Sequence, residues 1–181
     1  MNSVDPPHAP FVEQLERHRG IIVSVLNAYC ARSPDRDDVA QIIAAELWRS
    51  YPRYDGRVRF STWMYRIAVN VAISHYRREH RDERALAVYD SEMLATVATA
   101  SSEADLARSA LDDLIETLDA LDRALVLLYL DENSYADIAT VLGISETNVA
   151  TKLSRIRARF RSDLATHSPL SMEYKQWNSM I

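Results

Sequence analysis

A stretch of 116 residues, from position 53 to position 168, contains no proline, and the whole chain has only three glycines. Proline and glycine are the residues that most often interrupt or end helices, so their scarcity predicts a chain built of long helices. The glycines at positions 20, 56 and 143 stand 36 and 87 residues apart, which excludes the glycine-rich loops that bind dinucleotides and nucleotides. The expected fold class is all-α.

The spacing of apolar residues divides this helical chain into two small domains. Three amphipathic helices are predicted in the first half, at about 11–30, 35–51 and 61–84. The next nineteen residues lose the helical spacing and gather small and hydroxyl side chains, a composition typical of a flexible linker. Helices are predicted again over 106–118 and 122–130. We therefore expect a domain at 10–84, a linker at 85–103, a second domain at 104–165 and a tail without an assigned role at 166–181.

The second domain contains the spacing of a helix-turn-helix. Ser134 is placed to cap a short helix that ends at Gly143, and a further helix follows. Counting from Tyr135, the small Ala139 falls at the fifth position, where two helices must approach closely, and Val149 falls at the fifteenth. This arrangement predicts a DNA-binding unit, and its alternative is a plain helical hairpin.

The second helix of that unit begins with side chains suited to base edges in a major groove, followed by arginines suited to phosphates. The predicted DNA-contacting residues are Glu146, Thr147, Asn148, Thr151, Lys152, Arg155 and Arg159. In the alternative, the arginines form a solvated helix face.

Basic and aromatic residues alternate in the first domain, although the chain as a whole has a formal net charge of −5. Nine arginines lie between positions 49 and 84, and Trp63 stands among them on the third helix. Arginine beside aromatic rings is typical of a site for single-stranded nucleic acid. Asn70 is unusual inside a helix, because its amide needs partners, and it either contacts a flipped base or satisfies a neighbouring carbonyl. Packing in the core is the alternative for Trp63.

The two halves, in this order, resemble the extracytoplasmic-function group of bacterial RNA polymerase sigma factors over about residues 11–165. The segment from DRDDVAQIIAAELW to AISHYRR resembles sigma region 2, and the segment from LDALDRALVLLYL to SRIRARFR resembles sigma region 4. The resemblance implies core RNA polymerase and promoter DNA as partners, and it allows an anti-sigma protein as a third.

The resemblance also implies roles for individual residues. A surface for the polymerase is implied at Asp38, Gln41 and Trp48. Contact with the minus-ten element is implied at Arg53, Arg57, Arg59, Trp63 and Asn70. Contact with the minus-thirty-five element is implied for the helix that starts at position 146. The chain departs from the family pattern at Ile42 and Ser74, where acidic residues are common.

A second hypothesis is a helix-turn-helix regulator that binds a symmetric operator without the polymerase, but it leaves the arginines and aromatic residues of the third helix without a role. We expect no enzyme activity, because HExxH is absent and no motif brings carboxylates together. The lone Cys30 permits no cysteine-based metal cage, so neither metal nor cofactor is expected. No membrane span or signal peptide is recognised, which predicts a cytoplasmic protein.

Overall fold

A computed structural model describes residues 9–31, 33–86, 115 and 117–167. All regular structure in this part of the chain is helical, which confirms the predicted all-α class. Seven α-helices are described, namely α1 (Ala9–Arg17), α2 (Arg19–Cys30), α3 (Arg36–Ser50), α4 (Phe60–Leu86), α5 (Ala120–Leu130), α6 (Tyr135–Leu142) and α7 (Glu146–His167), with a single 3₁₀ turn at Tyr51–Arg53.

The first domain is a bundle in which α2 and α3 pack on α4. Its centre consists of aliphatic side chains that are almost fully buried: Val25, Val39, Ile43, Leu47, Met64 and Val69. On α3, Val39, Ile43 and Leu47 follow one another at four-residue steps, so the same pattern that predicts the helix also supplies an apolar stripe that holds the bundle together.

Several helix boundaries in the first domain differ from the sequence prediction. The helix expected over 11–30 is interrupted at His18, which separates α1 from α2. The His18 ring Nδ1 donates to the carbonyl of Gln14 at 2.9 Å. Helix α4 starts one residue before Ser61, and the carbonyl of Arg59 accepts the first backbone hydrogen bond, from Trp63. Helix α4 also continues to Leu86, two residues into the expected linker.

The remaining linker residues, 87–103, lie outside the described residues, as do 168–181 of the tail. The helix expected over 106–118 is described only at Ile115, which is helical, and at Thr117 and Leu118, which form a turn. The predicted end of the linker at 103 and start of the second domain at 104 therefore stay predictions.

The second domain packs α5, α6 and α7 around another apolar centre, formed by Leu125, Leu128, Ile138, Val149 and Leu153. The Asp119 side chain begins α5 by accepting hydrogen bonds from the backbone amides of Leu121 and Asp122, at 2.9 and 2.8 Å. The two domains touch directly. Helix α6 lies against α4, and α5 lies against both α2 and α4.

Candidate nucleic-acid interface

The turn between α6 and α7 has the geometry that its sequence predicts. Ser134 accepts a hydrogen bond from the Asp137 backbone amide at 3.1 Å, and its own hydroxyl donates to the Asp137 carboxylate. Gly143 ends α6 with φ 67° and ψ 34°, the left-handed conformation that favours glycine. Ser145 then accepts from the amide of Asn148 at 3.2 Å and so caps α7. These local bonds fix the angle at which α7 leaves the domain.

The first two turns of α7 present one polar face to solvent. Glu146, Thr147, Asn148 and Thr151 are exposed, whereas Val149 is fully buried between them. The Thr151 hydroxyl donates to the carbonyl of Thr147 at 2.9 Å, so Thr151 offers its methyl group and an acceptor oxygen to a ligand. This face has the size and chemistry of a helix that enters a major groove.

Lys152, one of the predicted DNA-contacting residues, is less exposed than the others on α7. Its side chain is about one-third exposed, and its ammonium group lies 2.8 Å from the Asp122 carboxylate of α5. This ion pair joins α7 to α5 within the domain. Lys152 therefore serves the packing of the helix-turn-helix in this structure.

The later part of α7 is basic. Arg155 and Arg159 are both exposed and stand one turn apart, while the guanidinium of Arg157 lies over the Tyr129 ring, 4.6 Å from its centroid. An exposed row of arginines following a polar face places positive charge where the backbone of a docked duplex would run.

A second surface lies on α3, in the other domain. Asp38, Gln41, Ile42 and Trp48 are all exposed and lie on one side of the helix. Trp48 is 46% exposed and Ile42 is 45% exposed. The rings of Trp48 and Phe11 form a T-shaped pair with their centroids 5.4 Å apart. Large exposed apolar side chains beside polar ones are typical of a protein-binding face.

The basic loop between α3 and α4 carries three of the predicted residues. Arg53 and Arg57 are exposed, and Arg57 pairs with Asp55 at 3.1 Å across Gly56, which has φ 73°. The Tyr54 hydroxyl donates to the carbonyl of Val58 at 2.8 Å and closes the loop on itself. The loop is therefore a short, ordered and positively charged projection.

Arg59 ends this loop, and its guanidinium is paired with the Asp137 carboxylate of α6. The Thr62 hydroxyl donates to the other oxygen of the same carboxylate at 3.0 Å. The pKa of Asp137 is lowered from 3.8 chiefly by the hydrogen bond from Ser134, with further contributions from Thr62 and Arg59 that outweigh a partial burial. No local sequence pattern signals this contact, because its partners are 75 and 78 residues apart.

Trp63 is partly buried and partly exposed, so its ring takes part in core packing and is also accessible to a ligand. Its ring packs on Tyr51, Tyr54 and Phe60, with centroid distances of 6.4, 5.1 and 5.2 Å. Trp63 therefore stabilises the base of the basic loop and still presents part of its ring to solvent.

Asn70 is exposed and lines a groove between α3 and α4 with a volume of about 420 Å³. Ile42 and Ile67 contribute apolar walls, and Ser74, whose hydroxyl donates to the Asn70 carbonyl at 2.8 Å, lies one turn further on. The lining also includes Glu46, His75 and Arg78, so the groove is mixed in character, and the Asn70 amide can both donate and accept a hydrogen bond there.

Comparison with known proteins assigns a sigma-factor region to each half of the chain. The family model of sigma-70 region 2 matches residues 15–82, and that of sigma-70 region 4 matches residues 108–160. The ECF RNA polymerase sigma-E factor of Haemophilus influenzae is 30% identical over 154 residues, which cover 79% of this chain and 81% of that protein. The chain belongs to the extracytoplasmic-function group of sigma factors.

Other relatives agree. SigW, an ECF RNA polymerase sigma factor of Bacillus subtilis, is 26% identical to this sigma factor over 141 residues, covering 72% of this chain and 75% of SigW. The fold matches that of RpoE from Bartonella quintana, solved with the anti-sigma factor NepR, with a TM-score of 0.66, 17% identity and coverage of 88% and 99% of the two chains. CnrH, solved with the cytosolic domain of CnrY, gives a TM-score of 0.64 and 21% identity over 87% and 89% of the chains.

Two further observations concern the described part of the sigma factor. None of its described helices is long and apolar enough to cross a membrane. The described residues also contain no group of three histidine, cysteine or acidic side chains that is suited to hold a metal ion.

Proposed function

We propose that this sigma factor binds core RNA polymerase through the exposed face of α3 and directs it to promoters through two separate DNA surfaces. The observation that carries the proposal is the presence of both DNA surfaces on one chain, one on α7 and one on the loop and groove beside α4. Asp38, Gln41 and Trp48 supply the polymerase surface. Ile42 adds apolar area between them, so the absence of an acidic residue there is compatible with a protein contact.

The minus-ten element is assigned to the first domain. Arg53, Arg57 and Arg59 provide charge for the phosphates of an unpaired strand, and the exposed part of Trp63 provides a stacking surface. Asn70, in its groove, offers both a donor and an acceptor to the edge of a base turned out of the duplex.

The minus-thirty-five element is assigned to α7 as double-stranded DNA. Glu146, Thr147, Asn148 and Thr151 face the bases, while Arg155 and Arg159 face phosphates. Lys152 acts indirectly, because its ion pair with Asp122 holds α7 at its angle to α5.

The chain acts by binding and without catalysis of its own, and it works in the cytoplasm where the polymerase and the promoters are. Its structural likeness to RpoE, solved with the anti-sigma factor NepR, supports an anti-sigma protein as a further partner. A regulator that works without the polymerase would leave the α3 face and the Asn70 groove without a ligand.

Site-specific photocrosslinking in the complete holoenzyme tests these assignments. A photoreactive amino acid at position 148 should crosslink to duplex DNA near minus thirty-five, and one at position 70 should crosslink to the non-template strand near minus ten. The exposed position 16 on α1 serves as the control and should give no DNA crosslink. Crosslinks from position 70 to duplex upstream DNA, or none from either position, would contradict the proposal.

A further inference from the structure

A histidine is buried where the start of α3 meets α4. His75 is 7% exposed, and its two ring nitrogens face two different carboxylates. Nε2 lies 3.3 Å from Oδ2 of Asp35, the N-cap residue of α3. Nδ1 lies 3.6 Å from Oε2 of Glu79, one turn further along α4. The ring of His75 therefore stands between an acidic group of each helix.

The two acidic residues are also joined through Ser33, in the turn before α3. The Ser33 hydroxyl donates to Oε1 of Glu79 at 3.0 Å, and the same hydroxyl oxygen accepts from the Asp35 backbone amide at 3.2 Å. The Asp35 side chain makes no capping hydrogen bond to the described backbone of α3, and its carboxylate faces His75 instead. The contact therefore ties the start of α3 to the middle of α4.

The number of carboxylates that the His75 ring can hold depends on its charge. An ionised carboxylate only accepts hydrogen bonds, and a neutral imidazole has one N–H to donate, whereas an imidazolium has two. Nδ1 is buried and has no hydrogen-bond partner among the described residues. Protonation gives the ring a second N–H, and Glu79 lies within ion-pair distance of it. The charged ring can therefore hold both carboxylates, and the neutral ring only one.

Other titratable or charged side chains near this contact come from each helix packed around it. They are Cys30 of α2, Arg36 and Glu46 of α3, Arg78 of α4 and Arg123 of α5. Burial and, next, the charge of Glu79 raise the pKa of the Cys30 thiol, so it is uncharged near neutral pH. Arg36 is held by α2, with its guanidinium 2.7 Å from the Asn27 side chain. Asp35 and Glu79 are the groups within ion-pair distance of the ring nitrogens.

Each side of the contact belongs to a helix with a proposed role. On α3, Asp38 of the polymerase surface follows three residues after Asp35. On α4, Asn70 lies five residues before His75, and both line the groove between the two helices. A looser contact at His75 should therefore change how the polymerase surface and the groove lie relative to each other.

We propose that His75 is a positioning residue for promoter opening, which holds the start of α3 against α4 through Asp35 and Glu79 and holds it more firmly when its ring is protonated. The proposal rests on the proposed roles of α3 and Asn70. It makes promoter opening by this sigma factor depend on pH in the neutral range, where histidine changes its charge. His75 acts through the two helices, because its own side chain is buried.

Unfolding of the full chain in urea tests the contact, at an acidic end of about pH 6 and a basic end of about pH 8. His75→Gln keeps an amide donor for Asp35 and gains no charge. At the acidic end we expect its unfolding equilibrium constant to exceed that of wild type by about ten-fold. This is the lower end for a hydrogen bond to a charged group, because the side chains of Asp35 and Glu79 are 51% and 30% exposed. The difference should disappear at the basic end.

Glu79→Gln is a second variant, because it removes the carboxylate that faces Nδ1. It should show the same loss at the acidic end and none at the basic end, and it carries the test alone if His75→Gln does not fold. His80→Gln is the matched control on the same helix, since the His80 ring bonds the Tyr76 carbonyl at 3.0 Å and needs only one N–H to do so. Its effect should be equal at both ends. Effects of His75→Gln and Glu79→Gln that are equal at both ends, or larger at the basic end, would overturn the proposal.

Open-complex formation by complete holoenzyme, at the same two pH values, tests the positioning role. His75→Gln and Glu79→Gln should each form fewer open complexes than wild type at the acidic end, by up to about ten-fold, and equal numbers at the basic end. A pH-dependent effect on unfolding without one on open complexes would overturn the positioning role. Failure of the proposed sigma function has a different signature, since wild-type holoenzyme would then give no promoter-specific transcripts while the unfolding result stood.

Discussion

Replacing Asn70 with alanine should impair promoter opening without weakening the fold. Asn70 is exposed in the middle of α4, and alanine is the better helix former by up to about 0.7 kcal/mol, so the free energy of unfolding should stay the same or rise slightly. An amide that contacts one base through two hydrogen bonds contributes about 1 to 3 kcal/mol, which corresponds to a loss of about 5-fold to 150-fold in open-complex formation.

The assay compares Asn70→Ala with Ser74→Ala in complete holoenzyme. Ser74 is exposed one turn further along α4 and lines the same groove, so it is the matched control. Open complexes are counted on a fully paired promoter and on the same promoter mismatched across the minus-ten region. We expect Asn70→Ala alone to be defective on paired DNA and to be partly rescued by the mismatch. Equal defects of the two variants in open-complex formation would refute the role of Asn70. So would a loss of holoenzyme binding to the double-stranded minus-thirty-five element in Asn70→Ala.

Four further predictions concern other parts of the molecule. Asp38→Arg should weaken retention on immobilised core polymerase and leave the unfolding midpoint unchanged, since Asp38 is exposed at the start of α3; normal retention would argue against this face. Gly143→Ala should lower the free energy of unfolding by about 1 kcal/mol through backbone strain alone, because no atom lies within 4 Å of the added methyl group; an unchanged denaturation midpoint would show that the turn relaxes. Asn148→Ala should change the preferred base at one minus-thirty-five position, whereas Arg155→Ala should weaken all promoters alike and reduce the salt slope by about 1; the reverse pattern would mean a different docking register. Because folding lowers the pKa of Asp137, the ionised carboxylate stabilises the fold above pH 3.8, and this stabilisation is lost as the pH falls through the folded pKa. The difference in free energy of unfolding between wild type and Asp137→Asn, measured by denaturation, should therefore become smaller in that acidic range. A difference that grows there would contradict the assigned cause.

Local patterns in the sequence predicted the helix-turn-helix well. Ser134 and Gly143 act through bonds and backbone angles within their own turns, so their chemistry is visible from a few neighbouring residues. The α3 surface at Asp38, Gln41 and Trp48 came from the family resemblance, and the structure adds that these three side chains are exposed. The family match then confirmed the order of the two domains.

Contacts between distant segments were not predictable in this way. Lys152 has the position of a DNA-binding residue, but a carboxylate thirty residues earlier in the chain pairs with it. Asp137 has the spacing of a helix cap, and it serves as one, yet it also binds Arg59 across the two domains. The break between α1 and α2 at His18 was also missed by the apolar spacing, which predicts one continuous helix there.

Transcription by core polymerase with and without the full chain tests the central claim most directly. Purified core polymerase, the chain and genomic DNA are combined, and the start sites of the transcripts are mapped. We expect the chain to co-purify with the core enzyme, and transcripts to start at a discrete set of sites that share two upstream sequence elements. A chain that fails to associate with the polymerase, and instead binds a symmetric operator on its own, would contradict the account.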